Sequence, residues 1–249
     1  MRWKLEHILK KTGGSILMED ASLIALNKPS GMLVLPDRYD RELLNLYELL
    51  KETLGEIFIV HRIDRETSGV VLFARTAEAH AQINTSFERR EVDKVYRAIV
   101  VGIPQNDTWH IDLPIAENEH RIRKMKIDTR NGKEAYTDFR VIERFDGYAF
   151  VEAHPHTGRT HQIRIHLSAS GLPILADPLY HDGRGFYLSS IKRNYRGKER
   201  EQPLLARTAL HACSLSLIHP VQNEKIVIEA PLQRDMDATL KILRKYREK

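Results

Sequence analysis

The chain has one cysteine, Cys213, in 249 residues. No disulfide can form within it, which excludes a small cross-linked secreted scaffold and points to a reducing compartment. No stretch approaches the ~20 apolar residues of a membrane span. The opening Met1-Arg-Trp-Lys-Leu-Glu carries charge where a secretory leader needs an apolar core. There is no internal repeat and no low-complexity tract. Neither a P-loop nor a dinucleotide fingerprint is present. The single cysteine, the charged start and the lack of an apolar span predict a soluble cytoplasmic protein.

What is present is a composition of ordinary globular type, 42% hydrophobic and 29% charged. The length suits one large domain or two small ones. A formal charge of +5 is permissive for a polyanion partner without demanding one.

Helical and strand-like patterns alternate along the chain. Ser22 to Asn27 reads as a strand halted by the turn cluster Lys28-Pro29-Ser30-Gly31. Leu43 to Leu54 has helical leucine spacing, and Gly55 is placed to end it. Gly69 to Ala74 is a short apolar run, expected as a buried strand. Thr76 reads as the N-cap of a helix over Ala77 to Arg89. Further strands are predicted at Lys94 to Val101, Trp109 to Ile115, Glu134 to Glu143 and Gly147 to Ala153. Thr160 is expected to cap a helix running to Ala169. His211 to Leu217 and Lys225 to Glu229 read as a closing hairpin, and Met236 to Tyr246 as a terminal helix. Strands often follow strands directly, which favours an α+β fold with a largely antiparallel sheet. Residues 1–14 are set apart as an N-terminal extension, and 15–249 as one catalytic domain. Within it, 183–203 reads as a basic insertion with Arg184, Lys192, Arg193, Arg196, Lys198 and Arg200 among three aromatics. Such a segment serves either as a solvated loop or as a flap on a phosphate backbone.

Four clusters could carry chemistry. In His61-Arg62-Ile63-Asp64-Arg65-Glu66-Thr67-Ser68-Gly69 a carboxylate lies between two arginines, which favour its ionised form. An ionised aspartate can act as nucleophile or base, although the same loop could be held by ion pairs alone. The stretch His154 to His166 holds four histidines. Their spacing suits hydrogen bonding in a turn better than a metal site. Arg164, on the helix that follows, offers a planar fork for a carboxylate, with Asp64 the candidate. Tyr96, at a strand start, is either core or a stacking face for a base. Arg121-Ile122-Arg123-Lys124-Met125-Lys126 alternates cations with apolar residues and would show a basic face as a strand.

Taken in order, these clusters resemble a known set. HRIDRETSGVVLFART (His61 to Thr76) closely resembles the catalytic signature of the RluA-type pseudouridine synthases. LNKPSG (Leu26 to Gly31) resembles that family's lysine-proline motif, and KVYRAIVVG (Lys94 to Gly102) its tyrosine motif. HTGRTHQIRIHL (His156 to Leu167) and GLPILADPLY (Gly171 to Tyr180) resemble its arginine motif and following loop. LHACSLSLIHP (Leu210 to Pro220) is similar to its terminal hairpin.

The resemblance implies a long mixed, mainly antiparallel sheet with a central cleft, flanked by helices. It implies an enzyme that isomerises uridines in ribosomal or transfer RNA, with neither metal nor other cofactor. Asp64 becomes the catalytic aspartate, Tyr96 the residue stacked on the target base, and Arg164 the partner that positions Asp64. Arg62 resembles the arginine that fills the gap left by the flipped base. His61, Arg65, Thr67, His161 and Gln162 fall into the substrate-binding set. No partner beyond structured RNA is implied, no membrane contact, and nothing demands more than a monomer. Ile63 and Glu66 replace the usual leucine and aspartate, while Ala176 and His181 stand where glycines are common. The segment before the first motif is too short for the S4 domain that many relatives carry. Two other readings compete. One is an RNA-binding protein that keeps the fold without catalysis. The other is a metal hydrolase using His154, His156 and His161.

Overall fold

The computed structural model describes residues 2–37, 40–119, 121, 123–192, 194–197 and 200–247. The elements run α1 (Arg2–Thr12), β1 (Ser15–Glu19), β2 (Leu23–Lys28), α2 (Leu46–Leu54), β3 (Phe58–Ile59), β4 (Ser68–Ala74), α3 (Ala77–Glu88) and β5 (Asp93–Val101). They continue with β6 (Thr108–Asp112), β7 (Ile115–Glu117), β8 (Met125–Ile127), β9 (Tyr136–Phe145), β10 (Tyr148–Pro155) and α4 (Gln162–Ala169). The chain closes with β11 (Leu210–Ile218), β12 (Lys225–Glu229) and α5 (Arg234–Arg247). Two compact units result. The first takes Met1–Val95 and His211–Gln233, the second Tyr96–Leu210 and Arg234–Lys249.

In the first unit β2 lies antiparallel between β1 and β4, and β12 is antiparallel to β11. β11 joins β4 in parallel through His211↔Ser68 and Ala212↔Gly69, which makes the sheet mixed. Every residue of β4 is buried, as its unbroken apolar run requires of a strand covered on both faces. Val70 and Leu72 pack with Leu23, with Ala79 and Ile83 of α3, and with Leu215, Leu217 and Ile228 of the β11–β12 hairpin. Thr76 caps α3 as expected, its Oγ1 accepting the Ala79 N–H at 3.2 Å. Residues set apart as an extension form α1, whose Leu5 and Leu9 are buried and whose Lys4 pairs with Glu52 of α2 at 2.7 Å.

In the second unit β5, β10, β9 and β6 follow one another, all antiparallel. β7 and β8 make a separate hairpin. α5 buries Met236, Leu240 and Leu243, and Arg244 grips Glu143 of β9 at 2.8 Å. The α+β class and the mainly antiparallel strands agree with the pattern of the sequence.

Several boundaries differ from the expected ones, and three differences have a plain cause. α2 begins three residues later than its leucines suggest, because the Asn45 side chain accepts the Glu48 N–H and fixes the cap there. α4 begins at Gln162, behind a left-handed His161 (φ 55°, ψ 20°) with no side-chain cap, so Thr160 does not cap it. The basic strand expected over 121–126 does not form. Arg123 turns at φ 65°, only Met125 and Lys126 enter β8, and Ile122 lies outside the described residues.

Candidate active site

His61 to Gly69 forms the approach to β4, and the turn after β2 holds it. Lys28 is fully buried. Its ammonium donates to the carbonyls of Pro29 (2.9 Å), Met32 (2.7 Å) and Arg65 (2.9 Å). A buried cation is tolerable only when its donors are satisfied, and three carbonyls meet that need. The Gly31 N–H donates to the same Arg65 carbonyl at 2.9 Å. Arg65 Nε returns a bond to the Gly31 carbonyl at 3.0 Å, and Ser30 Oγ reaches the Glu66 carbonyl at 2.7 Å. On the near side the Thr67 N–H donates to the Asp64 carbonyl at 3.1 Å. The backbone around half-buried Asp64 is thereby fixed residue by residue. In the sequence Lys28 has a place in the lysine-proline motif LNKPSG but no role of its own. Lys28→Met leaves the three carbonyls without their donor, and unfolding in urea should show a loss of roughly 2–4 kcal/mol. An unchanged midpoint would mean that water replaces the ammonium.

Gly69 ends the loop at φ 115°, where an added Cβ would lie 2.0 Å from the Ala212 carbonyl oxygen. Only glycine lets β4 and β11 approach in parallel at this point. Beside it Ser68 Oγ hydrogen-bonds His211 Nδ1 at 2.9 Å, and His211 Nε2 bonds the Ala230 carbonyl at 3.1 Å.

His61 is occupied structurally. Its Nε2 accepts the Leu72 N–H at 2.9 Å and its ring stacks on Phe87 at 5.4 Å. Burial, aided by the positive charge of Lys94, pushes its pKa down to about 4. The unfolded imidazole takes its proton near 6.5 while the folded one stays neutral, so the unfolded state binds more protons between those values. Stability from this group is therefore complete above about pH 6.5 and declines as the pH falls towards 4. The urea midpoint should drop over that range, and His61→Gln should flatten the drop; parallel curves would remove the assignment. Burial, with Arg90 nearby, also pulls Lys94 down to about 8. Arg62 and Arg65 are exposed, and Thr67 is buried.

The second unit carries Tyr96, half-buried on β5 opposite Ala153, and the helix α4. Gln162 is buried. Its Oε1 accepts from Thr157 Oγ1 (2.7 Å) and the Arg159 N–H (2.9 Å), and its Nε2 donates to the Tyr136 carbonyl and Thr137 Oγ1, both at 3.0 Å. That exhausts an amide's capacity. These four bonds fasten the turn onto β9. His161 Nδ1 lies 3.1 Å from the Tyr180 hydroxyl, which also accepts the Met125 N–H at 2.8 Å.

Arg164 is buried, and its Nε and Nη2 hold Asp177 at 2.7 and 2.9 Å. That edge of the guanidinium belongs to Asp177. Burial presses the Asp177 carboxyl upward, but Arg164 and the N–H groups of Leu179 and Tyr180 hold it below its usual value. Asp177 was legible only as one acid in a loop motif. Before it, Ala176 stands at φ 57°, the left-handed region that favours the glycine expected there. Ala176→Gly should stabilise the protein by about 1 kcal/mol, read as a higher denaturant midpoint; a lower midpoint would show that the methyl's packing outweighs the backbone strain.

The histidines disperse. His154 bonds Glu152 at 3.0 Å, His156 bonds Asp138 at 2.7 Å, and His166 bridges Thr137 and the Leu113 carbonyl, each at 3.0 Å. Among the described residues no group of three or more His, Cys, Asp or Glu is arranged to hold a metal. The basic insertion is pinned by buried Phe186 and Ile191, with Phe186 bridged to Leu205. Arg184, Lys192, Arg196 and Arg200 are exposed, and Arg193 and Lys198 lie outside the described residues. No helix among the described residues is long and apolar enough to cross a membrane.

Comparison with known proteins gives a consistent result. A family model described as RNA pseudouridylate synthase matches residues 22–169. A protein of Zymomonas mobilis subsp. mobilis named ribosomal large subunit pseudouridine synthase D is 35% identical, over 92% of this chain and 72% of its own length. The protein of that name from Neisseria meningitidis serogroup B is 36% identical, and the chain spans 61% of it. Among solved structures, human RNA pseudouridylate synthase domain containing 4 superposes with a TM-score of 0.72 at 28% identity, covering 98% of each chain.

Proposed function

The chain belongs to the RNA pseudouridylate synthase family, and from that premise we propose that it converts selected uridines of ribosomal RNA to pseudouridine, with Asp64 as the nucleophile. The observation that carries the assignment to Asp64 is the tethered loop. Lys28, Ser30 and Gly31 fix the carbonyls of Arg65 and Glu66, so the backbone bearing the aspartate is preorganised before any substrate arrives.

The reaction breaks the N1–C1′ bond of uridine, turns the uracil, and joins C5 to C1′. C5 loses a proton and N1 gains one, so nothing is oxidised or reduced. The uracil must leave its stack to be enclosed. Asp64 supplies the carboxylate that attacks. Tyr96 offers its ring to the extruded base, Arg164 serves as the positioning guanidinium, and exposed Arg62 fills the space that the base vacates. The exposed cations of the 183–203 insertion are suited to phosphates beyond the reacting nucleotide. The relatives' names favour the large ribosomal subunit over transfer RNA as substrate. A monomer acting in the cytoplasm suffices for this chemistry.

Site-resolved pseudouridine mapping of RNA from cells with and without the protein tests the proposal. The expected result is loss of one or a few modified uridines in large-subunit ribosomal RNA, restored by the wild-type chain. Purified protein that binds RNA but forms no pseudouridine on the mapped sequences would favour the binding-only alternative.

A further inference from the structure

Helix α1 carries its apolar residues on one side and a tryptophan on the other. Leu5 and Leu9 are buried, whereas Trp3 is 71% exposed. At about 100° per residue, Trp3, His7 and Lys10 follow one another along the outer stripe, with Lys11 beside them. His7, Lys10 and Lys11 are all exposed. The His7 ring meets the indole edge-on at 6.4 Å. Lysines in a last turn already suit the helix dipole. The position of the indole has no such account, since the core is on the far side of the helix. Aromatic faces interleaved with cations are what unpaired nucleotides bind: bases stack on the ring, and phosphates take the charges. From Trp3 to Lys10 the helix rises about 10 Å, a span suited to a base and the backbone leading from it.

We infer that the outer face of α1 is a second RNA contact, outside the active site. An unpaired base of the substrate stacks on Trp3, and its neighbouring phosphates lie on Lys10 and Lys11. The inference rests on the RNA-modifying reading above.

Tryptophan emission gives the test. The chain has two tryptophans, and the other, Trp109, is half-buried and stacked on Phe139 at 5.1 Å. The emission difference between wild type and Trp3→Ala therefore isolates Trp3. Full-length protein is titrated with an oligouridylate, with wild-type turnover on ribosomal RNA assayed in parallel. The Trp3 emission should be quenched saturably, and Trp3→Ala should weaken binding roughly 5- to 100-fold. Replacing Lys10 and Lys11 by glutamine should lower the slope of log affinity against log salt by about 1.4. An active enzyme whose Trp3 emission ignores RNA, with affinity and salt slope unchanged in the variants, overturns this contact alone. Quenching without turnover leaves the contact standing and overturns the catalytic reading.

Discussion

Asp64→Asn is expected to reduce pseudouridine formation by roughly 10⁴-fold or more, the scale seen when a nucleophile is removed, while RNA affinity stays within about twofold. The amide keeps the size and shape of the carboxylate, so the fastening of the neighbouring backbone by Lys28, Ser30 and Gly31 persists. It has no charge and little nucleophilicity, so the covalent step cannot begin. Single-turnover release of tritium from RNA labelled at uracil C5 measures the step directly, because that proton is lost on rejoining. Unfolding of the variant should match wild type, which separates a chemical defect from a structural one. Near-wild-type tritium release would be incompatible with Asp64 as nucleophile.

The second large effect concerns Arg164 and Asp177. Arg164→Met should cost roughly 3–5 kcal/mol of stability, because it leaves a fully buried carboxylate without its cation. Its pH dependence has a defined sign. In wild type the Asp177 carboxyl is held below its usual value, so its contribution is present above about pH 4 and is lost only as the pH falls further. Without Arg164, burial prevails and the carboxyl rises above its unfolded value. The penalty is then largest near neutrality and eases in acid. Adding Asp177→Leu removes the stranded charge and should recover most of the lost stability. It should not recover turnover, if Arg164 serves the reaction as proposed. A double variant that regains both would reduce Arg164 to a structural partner of Asp177.

Particular residues show what the sequence made legible. The Thr76 cap, the apolar run of β4 and the β11–β12 hairpin are local patterns, and each formed where its pattern lay. The candidate residues were legible as a set because their order along the chain resembles one family. Their partners were not. Lys28 reaches Arg65 across 37 positions and Ser68 reaches His211 across 143; no periodicity records such a pairing. Gln162 was legible only as a member of a motif, and its burial and four bonds show that it also secures a turn. Thr160 had the chemistry of a cap, but the left-handed backbone at His161 moved the helix start past it.

The parallel junction of β4 with β11 has a consequence for biosynthesis. β11 and β12 belong to the first unit, yet they leave the ribosome after nearly the whole second unit has been made. Until then the core of Leu23, Val70 and Leu72 lacks the layer of Leu215, Leu217 and Ile228, and the Ser68–Gly69 end of β4 lacks its parallel neighbour. Vectorial folding cannot finish the aspartate-bearing half first. A nascent chain cut short before residue 211 would expose an incomplete sheet to aggregation or proteolysis instead of releasing a half-built nucleophile into the cell's RNA.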